Sequence, residues 1–246
     1  MTMRNEQNPA GLISLSDEEA VRQLVTGTVF DLWRIVNNLT KLRPTKHDSY
    51  RVTIFGSARA QPGTIAYTET KRVAKALTEL GCDIITGGGP GLMQAANEGA
   101  SEADPGDARK SVGIRVALPF EQSVNPFVEQ GFEHENFFTR LHHFVLASDA
   151  FIVAPGGIGT VLEAMMIWQL LQVGHLEGTP FLMVGRMWPG LVEWAREAML
   201  STDQPLANPE DLDLPRCLAT ADEAIEVIRE QHALWLAARS KSDETS

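Results

Sequence analysis

At 246 residues the chain has room for one α/β domain with extensions and can bury a sizeable core, while two full domains would be cramped. Its hydrophobic share of 43% and charged share of 22% match soluble globular proteins, which sets aside the disordered, fibrous and membrane classes. A net charge of −11, with no basic stripe, argues against a nucleic-acid partner but leaves room for a small anionic ligand at a locally positive site. No run approaches the roughly 20 apolar residues of a membrane span, and the polar start MTMRNEQNPAG lacks the order of a signal peptide, so the expected setting is cytoplasmic. Cys82 and Cys217 have no CxxC partner and are expected reduced and buried; no metal site is expected.

In chain order, Ser16-Asp17-Glu18-Glu19 reads as a capping box, followed by apolar residues at three- and four-residue spacing from Val21 to Leu39: an amphipathic helix over 17–41, ending before Pro44. RVTIF (51–55), CDIIT (82–86), SVGIRVAL (111–118), AFIVA (150–154) and PFLMV (180–184) are short β-rich runs. Helical patterns lie between them, around 65–80, 91–103, 139–148, 160–173 and 189–200. STDQPLANPEDLDLP reads as a loop, and a last helix follows with Ala224, Ile225, Ile228, Ala233 and Leu236 on its buried face; the tail RSKSDETS is expected to be disordered. Continuous apolar strands alternating with helices predict a doubly wound, Rossmann-like parallel sheet covered on both faces. The expected division is a helical extension (1–45), a nucleotide-binding domain (46–204) and a C-terminal loop and helix (205–246).

In such a sheet ligands bind beyond the carboxyl ends of the strands. Every glycine cluster sits there: FGSAR after the first run, TGGGPGLM after the second, APGGIGT after the run at 150–154. Three loops are therefore expected to converge on one crevice. Pro155-Gly156-Gly157-Ile158-Gly159-Thr160 leads into a helix, whose bare N–H groups and about half a unit of positive charge suit a phosphate. The lysine of a Walker loop is absent, and the spacing Gly87-Gly88-Gly89-Pro90-Gly91 is not GxGxxG, so a mononucleotide fits better than a hydrolysed triphosphate or a dinucleotide. Met93 suits either a flat base or a core gap. Glu163 falls in the first turns of the helix after the PGG loop, and Arg140 at the entry of the preceding one; each also has an ordinary reading, as a helix-start carboxylate and a surface arginine. Of His142 and His143, one is expected buried and one solvated. Glu98 and Glu135 are acidic residues that could fall near the site.

GSAR, GGGPGLMQAANEGA, Arg140 nine residues before Asp149, and PGGIGTVLEA together resemble the LOG (Lonely Guy) family, cytokinin riboside 5′-monophosphate phosphoribohydrolases formerly labelled lysine decarboxylase-like. The resemblance spans about residues 50–200. It implies hydrolysis of the N-glycosidic bond of a nucleoside 5′-monophosphate, AMP or an N6-modified AMP, to free base and ribose 5-phosphate, without a cofactor. Arg140 and Glu163 then match the catalytic pair, Gly156, Gly157, Gly159 and Thr160 the phosphate loop, and Gly56, Ser57, Gly88, Gly89 and Met93 the nucleotide-contacting segments. It also implies a homodimer or larger homo-oligomer through the helix after the PGG loop, where EAMMIWQLLQVG is apolar on nearly all sides. Plant-type members carry an Arg-Lys pair and two consecutive glutamates; here Leu141 follows Arg140 and Leu162 precedes Glu163, which leaves the base preference open. Two other readings share the fold: a binder of a phosphorylated ligand, such as a molybdenum-cofactor carrier, and a nucleotide sensor.

Overall fold

A computed structural model describes residues 17–39, 48–104, 106, 108–117 and 124–243, with the backbone alone for 31–39 and 241–243. The chain has two compact units, Met1–Lys46 and His47–Ser246, so the C-terminal segment from 205 is one body with the sheet. The first unit holds helix α1 (Glu18–Leu39). Asp17 Oδ1 accepts from Ala20 N at 3.0 Å and caps the helix, and Glu19 accepts from Arg22 and Gln23. Ser16, residues 40 and 41 of the expected helix, Leu118 and the tail from 244 lie outside the described residues.

The second unit is a seven-stranded sheet. Strands β1 (Tyr50–Phe55), β2 (Cys82–Thr86), β3 (Ser111–Val116), β4 (Gln130–His134), β5 (Ala150–Val153), β6 (Phe181–Val184) and β7 (Arg216–Leu218) stand in the order β4-β3-β2-β1-β5-β6-β7, every pair parallel. Helices α2 (Ile65–Glu79), α3 (Leu92–Ala103) and α7 (Ala221–Asp243) cover one face; α4 (Phe137–Ala147), α5 (Ile158–Gln172) and α6 (Met187–Leu200) cover the other. Side chains alternate between the two cores as a strand's period of two requires. Val52, Ile54, Ile84 and Ile152 join the α2/α3/α7 layer, while Phe55, Ile85, Phe151 and Val153 join the α4/α5/α6 layer. Among the described residues no helix is long and apolar enough to cross a membrane.

β4 and β7 escape the sequence reading for physical reasons. β4 (QGFEH) is an edge strand with four of its five residues exposed, so it has no apolar run to betray it. β7 is three residues at the opposite edge, between the stretch read as a loop and the last helix; the loop stretch itself holds a 3-10 turn at Pro209–Leu212. Cys217 on β7 is only half-buried, whereas Cys82 is fully buried. In α7 the buried stripe runs Ala224, Ile225, Ile228, His232 and the partly buried Trp235, not Ala233 and Leu236, which are exposed. His232 and Trp235 stack on each other and meet the Tyr50 ring edge-on or tilted, so the aromatic rings take the core positions. α7 continues to Asp243, through residues 239–243 of the tail expected to be disordered.

The order of strand addition reverses about β1: β2, β3 and β4 lie to one side, β5, β6 and β7 to the other. The register pairs Phe55 with Val153, so the two strands end level and their loops leave side by side. That is the switch point at which open α/β sheets bind ligands.

Candidate active site

Three loops are stitched together at the switch point by backbone hydrogen bonds. Ser57 N donates to Pro155 O at 3.1 Å, which ties the β1 loop to the PGG loop. Leu92 N donates to Ser57 O at 2.8 Å, which ties it to the start of α3. Gly91, at φ +71, must be glycine: a Cβ there would overlap the Ser57 carbonyl oxygen and Ala58. Behind these, Asn125 donates from N to Gly88 O and from Nδ2 to Gly89 O, both at 3.0 Å, and joins a buried chain with Asn97, Thr86 and Ser111 that fixes the glycine loop after β2.

A cavity of about 490 Å³ opens between the loops, lined by Gly56, Ser57, Ala58, Arg59, Met93, Arg140, Gly157, Ile158, Gly159, Thr160 and Glu163. Eight of the residues singled out from sequence meet there. Gly156, Gly88 and Gly89 do not line it. Gly156 is packed against Thr160 and donates to Met187 Sδ; Gly88 lies against Gly113 and Arg115; Gly89 lies beneath the Met93 methyl. The side chain that faces the cavity after β2 is instead Met93, in the first turn of α3, whose thioether bends over Gly87 and Gly89. Glu98 is engaged by Lys71 and Tyr67 between α2 and α3, and Glu135 is exposed; neither lines the cavity.

Glu163 belongs to the buried stripe of α5, Thr160, Glu163, Ala164, Ile167 and Trp168, spaced as a helix's inward face must be. Arg140 reaches it from α4, Nη1 to Oε1 at 3.1 Å, and the two side chains are 11% and 12% exposed. Arg140 is itself held by Nε donating to Ile114 O at 2.9 Å and by packing of its guanidinium over the Phe144 ring. Glu163 is pushed up to about 7 by burial, an effect that the Arg140 charge and hydrogen bond only partly offset. A carboxyl so placed exchanges a proton near neutrality, which suits acid–base work.

α5 begins at Ile158 with Gly157 as its N-cap and no side-chain cap, so its first N–H groups point at the cavity unclaimed by a capping side chain. Neighbouring histidines form a separate group: His134 Nε2 and His143 Nδ1 lie 2.9 Å apart, burial holds both below the usual imidazole range, and neither His142 nor His143 is fully solvated. Sequence reasoning missed Arg59 as a lining residue, although a basic residue in the loop after β1 was the available signal. A second cavity of about 540 Å³ lies on the α2/α7 side, lined by apolar residues such as Ile54, Val73 and Ile152. Its two carboxylates, Glu69 and Asp222, are both bound by Arg72, so the chemistry is assigned to the smaller cavity.

Residues 93–228, more than half of the chain, match the family model described as "Possible lysine decarboxylase". The chain belongs to that family. It is the LOG family of the sequence resemblance. No curated protein compared with the sequence matches it. Among solved structures, the molybdenum cofactor binding protein from Rippkaea orientalis is 18% identical, covering 75% of this chain and 98% of its own, at a TM-score of 0.55. The molybdenum cofactor carrier protein from Chlamydomonas reinhardtii is 17% identical, covering 74% and 97%, also at 0.55. At these identities the likeness establishes the α/β fold shared with this LOG-family chain. The family's descriptive label does not fit the site: a pyridoxal cofactor needs a lysine amine for its Schiff base, and no lysine is among the described lining residues.

Proposed function

We propose that this LOG-family protein hydrolyses the N-glycosidic bond of nucleoside 5′-monophosphates, AMP or an N6-modified AMP, giving free base and ribose 5-phosphate. The single observation that carries this reading is the buried Arg140–Glu163 pair, 3.1 Å apart, on the same cavity as the open N-terminus of α5. The 5′-phosphate is held by the α5 N–H groups around Gly157 and Gly159 with the Thr160 hydroxyl, as Gly156 shapes the turn from behind. Glu163, a few residues further along α5, then faces the ribose. As the C1′–N bond breaks, positive charge grows on the sugar ring; the carboxylate stabilises it and takes one proton of the water whose oxygen bonds to C1′, and a proton from solvent or from Glu163 completes the departing base nitrogen, leaving the carboxylate ionised again. Arg140 orients Glu163 and favours its ionised form against the effect of burial. Among the described lining residues Glu163 is the sole carboxylate, and the proposed chemistry is built on it. Met93 and the Gly56–Ser57 segment border the space left for the nucleoside.

The protein acts as a homodimer or higher homo-oligomer in this proposal. Ile158, Leu162 and Val173 of α5 and its C-cap are 87%, 49% and 52% exposed, an apolar surface that a second copy would cover. The test of activity is a panel of nucleoside 5′-monophosphates, with nucleosides as controls, resolved by chromatography: the proposal expects base and ribose 5-phosphate from at least one monophosphate and neither from the nucleosides. A second reading, a non-catalytic holder of a phosphorylated ligand, is favoured by the two fold relatives whose names state molybdenum cofactor binding and carriage. Mass spectrometry of ligand retained through purification separates it from the first.

A further inference from the structure

The charge balance of the cavity is incomplete for the ligand proposed. Among the described residues that line it, the charged ones are Arg59, Arg140 and Glu163. Arg140 is committed, to Glu163 through Nη1 and to Ile114 O through Nε. With Glu163 ionised that pair is neutral, so against a phosphate dianion it leaves only the α5 terminus, about half a positive charge. Arg59 is the remaining cation. It is exposed at the cavity's edge, and among the described residues its guanidinium has no hydrogen-bond or ion-pair partner.

Its backbone, by contrast, is fixed. Arg59 N donates to Ser57 Oγ at 3.1 Å, and Ser57 is pinned by its N–H to Pro155 O and by its carbonyl to Leu92 N. The side chain is thus a long, unpaired arm on a rigid base, rooted in the loop that is bonded to the phosphate loop itself. An arginine fork matches phosphate oxygens in pairs, which an ammonium cannot do.

We infer that Arg59 is a specificity-determining residue of the same site, a clamp that engages the outer oxygens of the 5′-phosphate and selects phosphorylated over unphosphorylated sugars. The inference rests on the proposed placement of phosphate at α5, but not on catalysis. It is tested by titration calorimetry of the full-length protein with ribose 5-phosphate and, separately, with adenine. Arg59→Gln is expected to weaken ribose 5-phosphate about tenfold to a hundredfold, the loss of a charge-assisted hydrogen bond, and to leave adenine binding unchanged. Arg59→Lys is expected to recover part of the loss, and thermal unfolding of both variants to match the wild type. In turnover, Arg59→Gln raises KM and leaves kcat within a few-fold. Wild-type affinity for ribose 5-phosphate in Arg59→Gln overturns the clamp; so does an equal loss for adenine, which would mean a distorted loop, or no binding of ribose 5-phosphate to the wild type. If the wild type binds ribose 5-phosphate in an Arg59-dependent way yet releases base from no monophosphate, the clamp stands and the hydrolase proposal falls.

Discussion

The two glycine-rich turns, GGGPG before α3 and PGGIG before α5, look alike on paper and are built for different ends. At α3 the glycines make room for protein. Gly91 admits the Ser57 carbonyl, which takes the Leu92 N–H, and Gly87 lies so close to Met93 and Arg140 that a Cβ would come 2.5 Å from Arg140 Nη2. At α5 the first glycine, Gly156, is likewise packed against Thr160, but the next two face open space: a Cβ on Gly157 or Gly159 would meet nothing within 4 Å. A helix N-terminus already filled by the chain cannot receive an anion; an open one beside a buried carboxyl can.

Substitutions can break that contrast. The largest expected effect is on turnover: Glu163→Gln keeps the shape of the α5 stripe and removes the carboxylate, and base release should fall about 10²- to 10⁴-fold while ribose 5-phosphate still binds. Next is Gly91→Ala, which forces a side chain into a positive-φ position against Ser57; a loss of at least about 2 kcal/mol, read as a lowered denaturant midpoint, is expected, and unchanged stability would mean that the α3 turn is not packed as described.

The pH dependence of stability probes the other turn. The Glu163 pKa is raised in the folded protein to about 7 from the ordinary carboxyl value of about 4.5, so folding favours the protonated form. The stability it confers is complete below about 4.5 and is lost as pH rises to about 7, a change on the order of 3 kcal/mol in the wild type that Glu163→Gln should not show. The same ionisation makes kcat/KM rise with pH toward a plateau above about 7, since the carboxylate is the working form. A fall of kcat/KM through that range would assign Glu163 the role of acid. Smallest is Gly159→Ala: with open space at the Cβ and helical backbone, stability should rise by up to about 1 kcal/mol while phosphate affinity drops, the reverse of Gly91→Ala in sign.

Much of the fold was legible because its five interior strands are continuous apolar runs and most of its helices carry a 3.6-residue period; the described ends of α1 to α6 fall within about two residues of the expected ones, whereas α7 runs five residues past its expected end. β4 and β7 were not, since an exposed edge and a three-residue strand carry no such pattern. At the site, the pairing of Arg140 with Glu163 was foreshadowed by the family resemblance; Glu163's inward position was not, because α5 is apolar on nearly all sides and its sequence marks no single buried face. What glycine counts could not distinguish was which glycines face a cavity and which face protein, because that depends on partners distant in sequence: Asn125 for Gly88 and Gly89, Ser57 for Gly91. Arg59 escaped notice for the same reason, its importance arising only when Arg140 proves to be already paired.

The central claim is that the open turn and the buried carboxyl of α5 form one hydrolytic site. Its most direct test is to incubate wild type and Glu163→Gln in parallel with the best monophosphate of the panel and quantify base and ribose 5-phosphate. The account predicts equimolar products from the wild type and a loss of at least about a hundredfold in the variant. Undiminished release by Glu163→Gln, or no base from the wild type with any monophosphate, would contradict it.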